Sequence, residues 1–315
     1  MSSFANSDNL IAVMDKATAA DSSKPWVSVE FFPPKTPEGV ETLFKVLAKL
    51  KPYNPVFADF TWGAGGSTSD LTMELCIRAK KEFGVIPNMH LTCTNVDKIK
   101  IDAALEQCKS EGITNILALR GDPPAGQDKW EASDLAFTCA LDLVKYIRAE
   151  HGDLFNLTVA GYPEGHPTKM SIIEGGMSAL SPTEKARCSV TTDENGKEII
   201  MVCKDEDFEG EMAYLKKKID AGANCIITQM FFDADVFKTF VDKCRSIGIN
   251  VPILPGIMML SNLGGFRRMT GFCKSRVPPA MMDAIAAIEK ECDAVGGEVC
   301  YNKENILYNQ FLFVL

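Results

Sequence analysis

The sequence predicts an α/β protein of the (β/α)8 TIM-barrel type, and two patterns support this fold class. Apolar strand-like runs alternate with amphipathic helical segments along most of the 315 residues, as in successive β/α units. Polar residues also stand at or near the C-terminal end of nearly every predicted strand. A doubly wound open sheet would collect such residues at one switch point, whereas a barrel gathers them around one mouth. The barrel is therefore the preferred interpretation.

Seven segments are predicted to be strands because each is a largely continuous apolar run, the pattern of strands buried on both faces. They begin at residues 26, 56, 86, 115, 156, 224 and 251 with WVSVEFF, VFADFTW, IPNMHLTC, NILALRG, NLTVAGY, NCIITQMFF and VPILPGI. An eighth strand is not evident. FLFVL at 311–315 is a candidate for it, within an atypical C-terminal tail at 295–315.

Helices are predicted between the strands from apolar residues at helical spacing. In the first of them, at 38–50, Val40, Leu43, Phe44 and Leu47 recur at this spacing. The others fall at 67–84, 96–112, 132–150, 211–223 and 234–248. Capping residues at the start and glycine at the end mark several of these segments.

We predict one catalytic barrel domain over residues 1–315, with an N-terminal extension at 1–24. The polar stretch at 167–207 is expected to be a surface insertion, with a small hairpin around DENGKE at 193–198. A solvated loop without a function of its own is the preferred interpretation of this insertion.

Composition limits the class of protein. Hydrophobic residues make up 46% of the chain, which permits a full core, and the net charge is −9. This charge argues against nucleic acid or an anionic membrane as the main partner. The 11 cysteines contain no Cys-x-x-Cys pair, as expected for reduced thiols. We find neither a secretory signal nor a run of ~18 apolar residues, and expect a cytoplasmic protein.

The first predicted strand contains an acidic residue among apolar ones. In VSVEFFPP, Glu30 stands between Val29 and Phe31, and strand alternation places it on the face opposite to theirs. A buried glutamate is costly unless it is paired or protonated. The residues alone leave two explanations: an ion pair with Lys or Arg, or a proton donor with a raised pKa.

Other motifs are ambiguous when taken singly. GAGGST at 63–68 lacks the spacing of a dinucleotide-binding loop, and LRGDPP at 119–124 could be a local Arg–Asp pair. GYPEGHP at 161–167 offers an aromatic ring and a titratable imidazole, and Gln229 is an amide inside an apolar strand. The three histidines have no metal-ligand spacing, so no metal site is predicted.

Taken together, the motifs VEFFPP, TWGAGGST, HLTCT, LRGDPP, GYPEGHP and DAGANCIITQMFFD occur in the order found in one family. The chain resembles methylenetetrahydrofolate reductases over about residues 25 to 290. That resemblance implies a flavin-dependent (β/α)8 barrel. It also implies reduction of methylene-tetrahydrofolate to methyl-tetrahydrofolate, with FAD as cofactor and NADH or NADPH as reductant.

The resemblance also implies roles for individual residues. Glu30 would be the acid that protonates N10 of the folate, and Asp122 would lie near the flavin pyrimidine and the folate. Gln229 would contact the pterin, and Leu263 stands where some members have an aromatic residue that stacks on the folate. The residues expected to contact FAD are Thr61, His90, Arg120, Gly121, Asp122, Ala132, Tyr162, His166, Lys217 and Lys218.

Several departures keep other functions open. The insertion at 167–207 is longer than is typical, no S-adenosylmethionine-binding regulatory domain is evident, and the tail at 295–315 lacks the family's usual HFYT-type strand. A non-catalytic or impaired flavin-binding relative is the alternative function. A third is a flavin-independent barrel enzyme acting on phosphorylated metabolites. The sequence does not distinguish NADH from NADPH, and it leaves the oligomeric state open, a homo-oligomer included.

Overall fold

A computed structural model describes most of the chain. The described residues are 8–63, 68–93, 96–121, 137–192, 195–260 and 263–294. Asp122, Ala132 and the tail at 295–315, with its candidate eighth strand, lie outside these ranges. The described chain divides into two compact units, Met1–Ala160 with Lys217–Ile226, and Gly161–Lys216 with Ile227–Leu315.

Ten strands occur in the described part of the chain. They are β1 (Val29–Phe31), β2 (Ala58–Phe60), β3 (Pro87–Thr92), β4 (Asn115–Leu119), β5 (Asn156–Gly161), β6 (Met170–Ile172), β7 (Ser189–Thr192), β8 (Glu198–Cys203), β9 (Cys225–Met230) and β10 (Ile253–Gly256). Seven of them form one sheet in the order β1-β2-β3-β4-β5-β9-β10. These are the seven strands predicted from apolar runs, and the α/β fold predicted for a TIM-type barrel is confirmed.

Ten α-helices connect or flank these strands in the same ranges. They are α1 (Leu10–Ala20), α2 (Pro37–Leu50), α3 (Ser69–Phe83), α4 (Lys98–Glu111), α5 (Ala140–His151), α6 (Pro182–Arg187), α7 (Asp205–Asp220), α8 (Ala234–Ser246), α9 (Leu263–Cys273) and α10 (Pro279–Ala294). At several helix starts, a side chain accepts a hydrogen bond from a backbone N–H group that has no partner within the helix. Thr36 caps α2 and Asp97 caps α4 in this way. Gly112 ends α4 in the left-handed conformation.

The register of β1 to β5 separates apolar from polar side chains. These strands pair in parallel, so directly opposed residues share a face. One face is apolar and consists of Val29, Phe31, Ala58, Phe60, Met89, Leu91, Ile116, Ala118, Leu157 and Val159. The other, which we call the polar face, carries Glu30, Asp59, Asn88, His90, Thr92, Asn115, Asn156 and Thr158, together with Leu117 and Leu119. Barrel interiors are usually filled by branched apolar side chains, so this polar face is a candidate ligand surface.

The stretch predicted as an insertion is an ordered element of the second unit. Strands β6, β8 and β7 form a three-stranded antiparallel sheet in that order. The antiparallel pairing of β7 with β8 matches the hairpin predicted around DENGKE. Helix α6 precedes β7 and begins with a capping box, in which Ser181 and Glu184 satisfy each other's backbone N–H groups.

Helix α1, from the predicted N-terminal extension, is tied to the sheet by one buried amide. Asn115 Oδ1 accepts a hydrogen bond from the Leu10 N–H at 2.9 Å, and its Nδ2 donates to the Asp8 carbonyl at 2.8 Å. Its in-register neighbour Asn156 is equally buried, but its side chain has no hydrogen-bond partner among the described residues. The two asparagines therefore form a matched pair that differs in hydrogen bonding.

We expect Asn115→Ala to destabilise the protein by about 1–3 kcal/mol, because it leaves the Leu10 N–H buried and unpaired. Asn156→Ala is expected to cost less, since no hydrogen bond to the described chain is lost. Urea unfolding of both variants, with hydrogen exchange at the Leu10 amide, measures the difference. Equal losses of stability, with Leu10 still protected in Asn115→Ala, would contradict this account of how α1 is held.

Candidate active site

The polar face holds a cluster of three ionisable groups on neighbouring strands. Glu30 on β1 is directly opposite Asp59 on β2, and Asp59 is directly opposite Asn88 on β3. Two residues further along β3, His90 returns to the same face. The ligand atoms of Glu30, Asp59 and His90 all lie within 4.8 Å of one another. We call these three residues the acid cluster.

Asp59 is the most strongly hydrogen-bonded member of the acid cluster. Its Oδ1 accepts a hydrogen bond from Asn88 Nδ2 at 2.7 Å and lies 3.2 Å from His90 Nε2. Asp59 is 3% exposed and His90 is 5% exposed. Such burial is tolerated for ionisable groups when they are paired in this way.

The pKa is raised for two members of the acid cluster, mainly by burial for Glu30 and by the acidic neighbours for His90. Desolvation raises the pKa of Glu30, the positive charge of His90 lowers it, and the negative charge of Asp59 raises it further. Desolvation alone would lower the pKa of His90. The hydrogen bond to Asp59 and the charges of Glu30 and Asp59 outweigh that effect, so the pKa of His90 is raised.

The surroundings of Glu30 differ from the sequence prediction in one respect. We expected an apolar setting, but the described neighbours of the carboxyl group are a carboxylate and an imidazole. The predicted alternative, an ion pair with Lys or Arg, is not found among the described residues. Part of the Glu30 side chain is exposed. The pKa is nevertheless raised, as a proton donor requires.

Three other predicted site residues of the first unit, Thr61, Arg120 and Gly121, lie around the ends of β2 and β4. The Thr61 N–H donates to the Phe31 carbonyl at 3.0 Å, which continues the pairing of β2 with β1. Arg120 follows β4 and is partly buried. Gly121 has φ +99°, and a Cβ added there would come within 3.0 Å of Thr92, so the position favours glycine. Asp122 and Ala132 lie outside the described residues.

In the second unit the structure brings Tyr162 and His166 together. Their ring centroids are 4.6 Å apart with the planes at 60°. His166 Nδ1 lies 2.7 Å from the Thr168 hydroxyl and accepts from the Thr168 N–H at 3.2 Å. Between the two rings in sequence, Gly165 has φ +95°, and a Cβ there would clash with Cys203 at 2.3 Å.

The remaining predicted residues have identifiable contacts of their own. Lys218 is buried and its Nζ donates to the Ala160 carbonyl at 2.8 Å, whereas Lys217 is exposed. Gln229 Oε1 accepts from the Met230 N–H at 2.9 Å. Leu263 packs against an apolar cluster that includes Phe266. The predicted contacts of these residues with FAD or folate stay predictions.

Sequence reasoning missed two buried acids, Asp59 and Glu164. Asp59 interrupts the apolar run VFADFTW, just as Glu30 interrupts VSVEFF, and alternation alone would have assigned it to the face of Thr61. Its contact with His90 depends on strand register across 31 residues and could not be read from spacing. Glu164 lies inside GYPEGHP, and the interpretation of that motif rested on Tyr162 and His166.

The acid cluster has the donor types that bind divalent cations. However, the Asp59 oxygen nearest to His90 is already within hydrogen-bond distance of Asn88 and His90. The cluster therefore has an explanation that does not need an ion, and the absence of a metal stays a prediction. No helix in the described ranges is long and apolar enough to cross a membrane.

A parallel α/β sheet with an acid cluster on a polar face indicates a TIM-type barrel protein with a polar small-molecule site. The sequence profile of methylenetetrahydrofolate reductases matches residues 16–305. The chain belongs to the methylenetetrahydrofolate reductase family, an oxidoreductase family.

Individual relatives support this assignment. Methylenetetrahydrofolate reductase (NADH) 1 of Arabidopsis thaliana is 49% identical over 268 residues, which are 85% of this chain and 41% of the relative. The 5,10-methylenetetrahydrofolate reductase of Salmonella typhimurium is 30% identical, over 89% of this chain and 81% of the relative. The chain thus spans less than half the length of the plant relative and most of the bacterial one.

A solved structure supports the fold. An uncharacterised protein from Clostridium thermocellum, described as binding two copies of 5-methyl-5,6,7,8-tetrahydrofolic acid, superposes with a TM-score of 0.51. The match covers 94% of this chain and 85% of that one at 15% identity.

Proposed function

We propose that the protein reduces methylene-tetrahydrofolate to methyl-tetrahydrofolate with FAD as cofactor and NADH or NADPH as reductant, in folate metabolism that supplies methionine. The observation that carries the proposal is the acid cluster on the polar face, in a chain of this family. The names of similar proteins include methylenetetrahydrofolate reductase (NADH) 1 in Arabidopsis thaliana and probable methylenetetrahydrofolate reductase (NADPH) in Caenorhabditis elegans. Both reductants are therefore retained.

The described residues fit a flavin chemically. Two buried hydroxyls on the polar face, Thr92 Oγ1 and Thr158 Oγ1, have no hydrogen-bond partner among the described residues. A flavin ring offers several acceptors and donors along its edge, which suits such groups. Gly121, whose backbone closely approaches Thr92, adds a surface without a side chain. Thr61, His90, Arg120, Tyr162, His166, Lys217 and Lys218 are the other described residues that we propose for this cofactor.

FAD, when held by these residues, would supply the hydride-transfer chemistry between the nicotinamide and the folate. The chain's own acid, Glu30, gives its proton to N10 of the folate, the bond from the bridging carbon to N10 breaks, and an iminium forms at N5. The bridging carbon then accepts the hydride and becomes the methyl group. The raised pKa of Glu30 suits this step, because the acid must still hold its proton near neutral pH.

Gln229 is proposed to contact the pterin and Leu263 to lie beside the folate. Asp122, outside the described residues, keeps its predicted place near both ligands.

Purified protein is expected to bind FAD, to bleach when NADH or NADPH is added without oxygen, and to recover its absorbance with methylene-tetrahydrofolate. Protein that bleaches but does not recover would indicate the non-catalytic relative instead. Folded protein that takes up no FAD would rule out the proposed function and favour a flavin-independent enzyme.

Tyr162→Ala is expected to weaken FAD binding roughly tenfold, because it removes the ring that faces His166. Quenching of FAD fluorescence on titration measures the affinity. Tyr53→Ala is the matched control, since Tyr53 is 75% exposed. The same affinity in both variants would exclude Tyr162 from the flavin site.

A further inference from the structure

Asp59 is a buried carboxylate to which the proposed reaction gives no direct part. It lies on the strand between those of Glu30 and His90, and its cluster atoms are within 4.8 Å of both. Asn88 fixes its orientation through the 2.7 Å hydrogen bond. A carboxylate held in this way acts on both neighbours at once.

We propose that Asp59 is a positioning residue that fixes the hydrogen-bonding state of His90 through Nε2 and, while His90 is neutral, favours the protonated form of the Glu30 carboxyl group. The inference rests on the proposed function, in which Glu30 is the acid. In this inference a residue on β2 influences whether Glu30, on the neighbouring strand β1, holds its proton.

The hydrogen bonds make Asp59 the acceptor of the acid cluster. Its Oδ1 accepts from Asn88 Nδ2 at 2.7 Å and lies 3.2 Å from His90 Nε2. With Asp59 as the acceptor, the hydrogen bond at 3.2 Å requires a hydrogen on His90 Nε2. A negative charge on Glu30 is disfavoured by that of Asp59, so while His90 is neutral Asp59 adds to the effect of burial, which is the main cause that raises the pKa of Glu30.

Other titratable groups near Asp59 do not compete for this role. In the described ranges, the thiols of Cys76 and Cys225 also interact with its charge. Burial raises the pKa of Cys76 well above its usual value and that of Cys225 to about 12. Both are neutral near pH 7, so the proton balance concerns Glu30, Asp59 and His90.

The variant that tests the proposal is Asp59→Asn, which keeps the shape of the side chain and removes its charge. In the FAD-loaded enzyme, over the pH range in which His90 is neutral, the pH at which Glu30 loses its proton and folate reduction declines should move down. At a fixed pH above this point, turnover should fall about tenfold for each pH unit of that shift. Reduction of the flavin by nicotinamide and the KM for folate should change little. Asp235→Asn removes the same charge from an exposed site on α8 and should leave the pH profile unchanged.

A second measurement needs neither cofactor nor turnover. The chain has only three histidines, His90, His151 and His166, so nitrogen-15 NMR can follow each imidazole separately. In FAD-free wild-type protein we expect a hydrogen on Nε2 of His90 at neutral pH, and in Asp59→Asn a lower pKa for His90. A wild-type His90 with unprotonated Nε2 overturns the proposal even if the variant fails to fold.

These readouts also separate this inference from the proposed function. The role of Asp59 is overturned if wild-type His90 has no hydrogen on Nε2, or if Asp59→Asn leaves the pH profile unchanged. In either case the reductase activity stands. If His90 has a hydrogen on Nε2 but the protein never reduces folate, the geometry of the acid cluster is supported and the proposed function is overturned.

Discussion

Glu30→Gln is expected to lower folate reduction by about 10²–10⁴-fold, the usual contribution of general acid catalysis. The amide keeps the size of the carboxyl group and its place opposite Asp59, but it has no acidic proton to give to N10. Reduction of the bound flavin by NADH or NADPH should continue at close to the wild-type rate, because that half-reaction needs no proton from Glu30. Stopped-flow absorbance measures the two half-reactions separately.

The control for Glu30→Gln is Glu41→Gln on the exposed side of α2, in the same unit. Its salt bridge to Arg78 is at the surface, where such pairs contribute about 0–1 kcal/mol, so both half-reactions should be unaffected. Folate reduction at the wild-type rate in Glu30→Gln would remove Glu30 as the acid. Equal losses in both half-reactions would indicate a structural defect.

The sequence predicted the strands better than it predicted the contacts between them. Continuous apolar runs located all seven strands of the sheet, because a strand buried on both faces leaves a local signature. The importance of Glu30 was also visible locally, as a carboxylate in such a run. Its partners were not, since the contact of Asp59 with His90 depends on the register of β2 with β3.

The insertion shows a second limit of sequence reasoning. Its polar and charged composition predicted a surface insertion with one small hairpin, whereas the structure adds a third strand, β6, and buries Val202 and Cys203. Short two-sided strands carry few apolar residues, so composition underestimates their order. Glu164 was overlooked for a similar reason, because its burial depends on residues more than 100 positions away.

Glu164 should make the protein less stable as pH rises, in contrast to most paired carboxylates. It is 6% exposed, its Oε2 accepts from the Arg276 N–H at 2.9 Å, and Oε1 has no hydrogen-bond partner among the described residues. Burial is the main cause that raises its pKa from 4.5 to about 8, and Asp233 adds to it, against the opposing effect of Arg276. Arg276 is itself held by Asp233 Oδ2 at 3.1 Å and by the Cys188 carbonyl at 3.2 Å.

The sign of the pH effect follows from proton linkage. The folded state binds the Glu164 proton more tightly than the unfolded state, so this stabilisation is complete below about pH 4.5 and is lost as pH rises through about 8. The whole shift corresponds to a loss of about 5 kcal/mol in the free energy of unfolding. An amide cannot ionise, so Glu164→Gln should escape this loss.

Glu164→Gln is therefore expected to be more stable than the wild type at pH 9 by a few kcal/mol, with a smaller advantage at pH 6. Urea unfolding of both proteins across this range measures the difference, and comparison at each pH cancels the titration of other groups. Glu184→Gln is the matched control, because Glu184 is also 6% exposed but accepts hydrogen bonds from the Ser181 and Asp205 N–H groups, which lower its pKa. That substitution should destabilise the protein, with no added dependence on pH between 6 and 9. A stability difference between wild type and Glu164→Gln that stays constant from pH 6 to pH 9 would show that Glu164 does not titrate in this range.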